Sequence, residues 1–83
     1  MSKPVTIYST QTCGYCKAAK EFMTAKGVEF TEVDVGADQA RAREMIEKSG
    51  QMGVPVIVVG SGPDEELIVG FDQNRLANAL GLS

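Results

Sequence analysis

The chain holds two cysteines, Cys13 and Cys16, in the run Thr12-Cys13-Gly14-Tyr15-Cys16-Lys17. Two thiols at that spacing suit reversible disulfide chemistry: one thiolate attacks a foreign disulfide, and its neighbour a helical turn later displaces what was captured. The attacking sulfur must be ionised, yet an unperturbed cysteine, with a pKa of about 8.5, is only a few per cent thiolate at neutral pH. Lowering that value to about 6 takes about 3.4 kcal/mol at about 1.36 kcal/mol per unit. A helix N-terminus supplies about 0.3–1 kcal/mol, or about 2 in a good site, so N–H···S bonds from the first turn must add to it. Lys17, four residues after Cys13, can lend positive charge. On this reading Cys13, at the helix start, attacks, and Cys16, one turn in and followed by Ala18 and Ala19, resolves.

Three other readings of the pair are weaker. A structural disulfide needs an oxidising compartment, and so short a loop stabilises little. A zinc site needs four ligands; with no histidine and no second pair, it would have to be shared across a dimer. Two inert buried cysteines would not gather in one motif beside Gly14-Tyr15.

The elements that must position the thiols follow from periodicity. Val5-Thr6-Ile7-Tyr8 is a short buried-strand pattern. From Cys13 to Lys26 the residues Tyr15, Ala18, Ala19, Phe22 and Met23 recur at helical spacing, and Gly27 reads as a left-handed terminator. Val28 to Val35 alternates as a second strand. Asp38 caps a second helix with Ala42, Met45, Ile46 and Ser49 on one face and Gly50 at its end. Val54 to Val59 is the most buried-looking strand, Gly60 to Asp64 the strongest turn, and Glu66 to Val69 a short returning strand. Asp72 then caps a last helix whose apolar side is Leu76, Ala77, Leu80 and Leu82. The order β-α-β-α-β-β-α predicts an α/β fold, with a parallel right-handed crossover first and an antiparallel hairpin later.

The 83 residues make one domain, spanning 1–83, with 43% hydrophobic and 23% charged residues. A net charge of −3 with scattered lysines and arginines offers no basic patch for nucleic acid. No apolar run approaches a membrane span, and no secretory signal precedes the first strand, so a cytoplasmic location without membrane partners is expected.

Over its whole length the sequence resembles the glutaredoxins, of the thioredoxin-fold superfamily. The resemblance rests on Ile7-Tyr8-Ser9, Thr12-Cys13-Gly14-Tyr15-Cys16, Lys26-Gly27-Val28, Met45 to Gly50, Gly53-Val54-Pro55 and Val69-Gly70-Phe71-Asp72. It implies a thioredoxin-like, four-stranded mixed sheet flanked by three helices. It also implies a dithiol oxidoreductase serving electron transport and cell redox homeostasis. Its partners would be protein disulfides or glutathione mixed disulfides, with glutathione or thioredoxin reductase as electron donor, no bound cofactor, and a monomeric state.

The resemblance further implies a cis bond at Val54-Pro55 beside the thiols, with the Val54 backbone free to pair with substrate. Tyr15, Gln51, Gly70, Phe71 and Asp72 become substrate or glutathione contacts. Where the family often carries a lysine for a glutathione carboxylate, this chain has Thr10, and Gly53 stands where a hydroxyl residue is common. Phe71 resembles the redoxins associated with ribonucleotide reductase, which take electrons from thioredoxin reductase. Gly14, with Lys17, is assigned to tuning the thiol pKa, since glycine restores the N–H that the more usual proline lacks. A non-proline residue here also raises an alternative: a [2Fe–2S] cluster held between two monomers by Cys13 and glutathione, for storage or delivery.

Overall fold

Residues 4–51, 53–60 and 65–81 are described by the computed structural model. Its elements run β1 (Val5–Ser9), α1 (Gly14–Ala25), β2 (Thr31–Asp34), α2 (Gln39–Ser49), β3 (Val56–Val59), β4 (Glu66–Val69) and α3 (Gln73–Leu80). The strands form one sheet in the order β2-β1-β3-β4. β1 is parallel to β2, with Ile7 opposite Glu32, and antiparallel to β3, with Ile7 opposite Ile57. β3 and β4 are antiparallel, with Ile57 opposite Ile68. The element order is the one that periodicity predicts, and the four-stranded mixed sheet with three helices is the thioredoxin-like architecture that the resemblance implies.

Pleating divides the core in two. Val5 and Ile7 of β1, Ile57 and Val59 of β3, and Ile68 of β4 pack with Ala19 and Met23 of α1 and Leu76 and Ala79 of α3. On the other face, Tyr8, Val33, Val56 and Val58 pack with Met45 of α2. The unbroken apolar run of β3 follows from helices on both faces. Tyr8 adds a polar tie: its buried hydroxyl donates to Glu44 Oε2, while Arg41 donates to Glu44 Oε1 at 2.9 Å. Burial, then the Glu44 bond, push the Tyr8 hydroxyl up to about 12.

Several boundaries differ from the sequence reading. The second strand is Thr31–Asp34, shorter than 28–35. Val28 is held back by its N–H bond to the Met23 carbonyl (2.9 Å), after Gly27 turns left-handed at φ 72°. The third strand begins at Val56, after Pro55, which has no N–H to give a ladder. In α1 the inward face is Cys16, Ala19 and Met23, and Tyr15 is 71% exposed rather than part of the core side. In α2 only Met45 is buried, and Ile46 turns outward. Ala79, unassigned from the sequence, is buried in α3, whereas Leu82 and the turn at 61–64 lie outside the described residues. Among the described residues no helix is long and apolar enough to cross a membrane.

Candidate active site

Chain geometry at the end of β1 places the first sulfur. After Ser9 the chain turns, and the Cys13 N–H donates to the Thr10 carbonyl at 3.4 Å. Cys13 is extended (φ −87°, ψ 114°) and is the N-cap of α1, while its carbonyl accepts from the Lys17 N–H at 3.2 Å. Its Sγ takes the place of a capping oxygen and accepts the Cys16 N–H at 3.1 Å. A cap must accept hydrogen bonds, and a thiolate accepts far better than a thiol. The start of α1 therefore presents an amide donor to this sulfur. The amide that reaches Sγ belongs to Cys16, so Gly14 does not supply that bond. A side chain at Gly14 would meet nothing within 4 Å.

The second sulfur has a different environment. Both cysteines are free thiols; Cys13 is half-buried and Cys16 is fully buried. Burial, followed by the hydrogen bond with Cys13, pushes the Cys16 thiol up to about 11. A half-buried capping sulfur over a buried, protonated thiol is the pairing that attack and resolution would use.

The loop before β3 closes over Cys13. The Val54-Pro55 bond is cis, and the Val54 carbonyl accepts from the Cys13 thiol at 3.8 Å. Pro55 is fully buried, and its carbonyl accepts the Gly70 N–H at 2.8 Å, which seats the loop after β4 beside it. Gly70 itself is left-handed (φ 79°), a conformation that favours glycine. Cys13, Val54, Pro55 and Gly70 are thus bonded into one rim.

The remaining sequence-predicted residues divide. Tyr15 stands out from the start of α1, where its exposed ring can lie along a bound substrate. The Lys17 side chain is exposed, and what ties it to Cys13 is its backbone. Phe71 is half-buried and meets Phe22 edge-on, centroids 5.9 Å apart, so much of its surface serves the core. Asp72 accepts the Arg75 N–H at 3.1 Å as the N-cap of α3. Gln51 is exposed past the end of α2, its N–H donating to Ser49 Oγ at 3.1 Å, and no bond links it to the cysteines. Sequence reasoning missed a polar tie between β1, β2 and α1. Buried Ser9 donates to Glu32 Oε2 at 2.9 Å, and Lys20 donates to the same oxygen at 2.6 Å. The two bonds hold the Glu32 carboxyl below the usual carboxylate range, Lys20 contributing most. Its signal was a serine ending a buried strand, with Lys20 one turn beyond Cys16.

The glutaredoxin family model matches residues 5–62, the segment that carries the dithiol, the cis proline and the first three strands. The chain belongs to the glutaredoxin family. A glutaredoxin-like 8.6 kDa protein in the rubredoxin operon of Clostridium pasteurianum is 42% identical over 72 residues, covering 87% of this chain and 91% of that one. Glutaredoxin 3 of Escherichia coli K12 is 38% identical over 77 residues, covering 93% and 88%. Among solved structures, the Archaeoglobus fulgidus glutaredoxin superposes with a TM-score of 0.79 at 25% identity, covering 90% of this chain and 83% of that one. The Escherichia coli NrdH-redoxin, a glutaredoxin-like protein, superposes with a TM-score of 0.73, also at 25% identity, covering 90% and 92%. A redox activity of the oxidoreductase type goes with this family, and the Cys13–Cys16 spacing is its Cys-x-x-Cys motif.

Proposed function

We propose that this glutaredoxin-family protein is a dithiol oxidoreductase that reduces protein disulfides or glutathione mixed disulfides. One observation carries the reading: Cys13 Sγ is the accessible N-cap of α1, bonded to the Cys16 N–H at 3.1 Å, above a fully buried Cys16. The Cys13 thiolate attacks one sulfur of the substrate, and the first substrate thiolate leaves. Cys16 then gives up its proton and attacks Cys13 Sγ, which releases the second substrate thiolate. The protein dithiol is oxidised by two electrons, the substrate disulfide is reduced to two thiols, and the protons follow the departing sulfurs.

The rim orients the attack. A substrate cysteine backbone lying along Val54 would bring its disulfide in line with Cys13. Tyr15 flanks the captured group, and Gly70 and Asp72 face reductant or substrate. Electrons return from glutathione or from thioredoxin reductase. The reading takes the cytoplasm as the compartment, where reduced thiols persist, and a monomer as the working unit.

Disulfide reductase assays of Cys13→Ser and Cys16→Ser test it. Cys13→Ser should be inactive, and Cys16→Ser should accumulate a mixed disulfide with its substrate. Full activity in Cys13→Ser would remove the assignment. Supplying electrons through glutathione with its reductase, or through thioredoxin reductase, then distinguishes the donors.

Gly14, standing where proline is usual, motivates one second reading, a [2Fe–2S] cluster carried between two copies with glutathione. Such a cluster takes four ligands. With Cys16 buried, each copy offers Cys13, and glutathione must supply the others. Anaerobic reconstitution with iron, sulfide and glutathione decides it: a coloured dimer supports the cluster, and a colourless monomer counts against it.

A further inference from the structure

Beside the loop between β1 and α1 lies an open groove of about 400 Å3, lined by Thr10, Gln11, Thr12, Asp34, Gly36 and Ala37. Strand register builds it. Ser9 pairs with Asp34 at the ends of β1 and β2, and the Val35 N–H donates to the Ser9 carbonyl at 2.9 Å. The chains leaving the two strands therefore run side by side next to Cys13. Gly36 lies between Asp34 and Thr10. A Cβ there would crowd Asp34 Oδ1 at 3.2 Å and meet Thr10 Cγ2 at an ordinary 3.5 Å.

Charge decides what the groove can take. Among its lining residues only Asp34 is charged. Asp34 Oδ1 accepts the N–H groups of Gly36 and Ala37 at 2.9 and 3.2 Å. At the adjoining start of α2, Asp38 Oδ1 accepts those of Ala40 and Arg41 at 3.1 and 3.2 Å. The amides that could have received an incoming carboxylate are thus engaged by two of the chain's own carboxylates. The Arg41 guanidinium is engaged as well, with Glu44 at 2.9 Å. An anion entering the groove would meet the like charge of Asp34, whereas a cation finds a carboxylate with hydroxyl and amide oxygens beside it.

We infer that this groove is a subsite for a positively charged group, ammonium or guanidinium, flanking the substrate disulfide, with Asp34 as the residue that selects it. The inference rests on the dithiol chemistry proposed above and adds a substrate class: disulfides whose cysteine has a lysine or arginine beside it. The thiol exchange is unchanged. Asp34 acts on binding and orientation, before any sulfur bond is made or broken.

The test uses reduced protein freed of small-molecule reductant, mixed in single turnover at low salt with three disulfide-linked dipeptide dimers. These are acetyl-Cys-Lys-amide, acetyl-Cys-Gln-amide and acetyl-Cys-Glu-amide, and the readout is the rate of thiol release. The lysine dimer should react about fivefold faster than the glutamate dimer, the size of one partly exposed ion pair. Asp34→Asn keeps an oxygen for Gly36 and Ala37 and should bring that ratio towards one. Glu47→Gln removes the same charge from an exposed position of α2 and should leave the ratio in place. Thr10→Lys should reverse the order. Equal rates in the wild type, a ratio that survives Asp34→Asn, a ratio lost equally in Glu47→Gln, or an order unmoved by Thr10→Lys would each overturn the subsite while leaving the oxidoreductase intact. Failure to reduce any of the three dimers would overturn the oxidoreductase itself, and the subsite with it.

Discussion

The rim around Cys13 and the core around Cys16 lie one helical turn apart and treat the same side chain in opposite ways. At the rim the sulfur is half exposed, accepts an amide and touches the Val54 carbonyl. In the core the sulfur is fully buried on the face of α1 that also carries Ala19 and Met23. The contrast teaches that a single turn of helix separates two environments: Cys13 sits at the helix end within reach of solvent, and Cys16 is held back by burial.

Alkylation shows that contrast at its largest. With a pKa of about 11, Cys16 is roughly one part in ten thousand thiolate at pH 7. Iodoacetamide should therefore modify Cys13 faster than Cys16 by at least about a hundredfold, as peptide mapping of partially labelled protein would measure. Comparable labelling of the two would erase the distinction between rim and core.

Pro55→Ala sharpens the rim side alone. Loss of the ring shifts the Val54 carbonyl and the Gly70 loop bonded behind it, and misplacement on the order of 1 Å can cost up to about a hundredfold in rate. Formation of the mixed disulfide in a Cys16→Ser background should slow by about tenfold, while Cys13 alkylation stays within about twofold of its starting rate. Slowing of both reactions together would mean that the loop tunes the thiolate rather than placing the substrate.

Alkali probes the core side. Cys16 and Tyr8 both hold their protons more tightly in the folded chain than in the unfolded one. Each therefore stabilises the fold fully below its ordinary pKa and loses that contribution as pH rises. For Cys16 the loss runs from about pH 9 to about 11, and for Tyr8 from about 10 to about 12. Urea midpoints should fall from about pH 9 upward. Cys16→Ala should flatten the lower part of the decline and Tyr8→Phe the upper part; an unchanged curve in both variants would contradict the burial argument. The smallest effect belongs to Tyr15→Ala. The ring is 71% exposed, so stability should change by less than about 0.5 kcal/mol. Disulfide reduction should still slow by a few-fold if the ring lies along bound substrate.

What the sequence made legible was local. Cys13, Asp38 and Asp72 at helix starts, and Gly27 and Gly50 at helix ends, are set by a few neighbouring residues, and the structure places all five as read. The Val54-Pro55 conformation came from the family resemblance, since nothing local distinguishes it from an ordinary proline at a strand start. Helical spacing alone groups Tyr15 with the core face, because apolar counting cannot tell a ring at the first turn of α1 from a core residue. The true face passes through Cys16, one residue and about 100° away. The Ser9–Glu32–Lys20 tie and the Thr10–Asp34 groove were invisible for a different reason. Each joins residues from separate elements, and only strand register brings them together.

That Cys13 also caps α1 carries a further consequence. Whenever Cys13 bonds to another sulfur, the Cys16 amide is left with a disulfide sulfur as its acceptor, and that is a weak one. The opening turn of the helix should then fray with each catalytic cycle and tighten again on reduction. Deuterium uptake at that one amide becomes a built-in gauge of the redox state, legible in the intact protein without labels or added substrate.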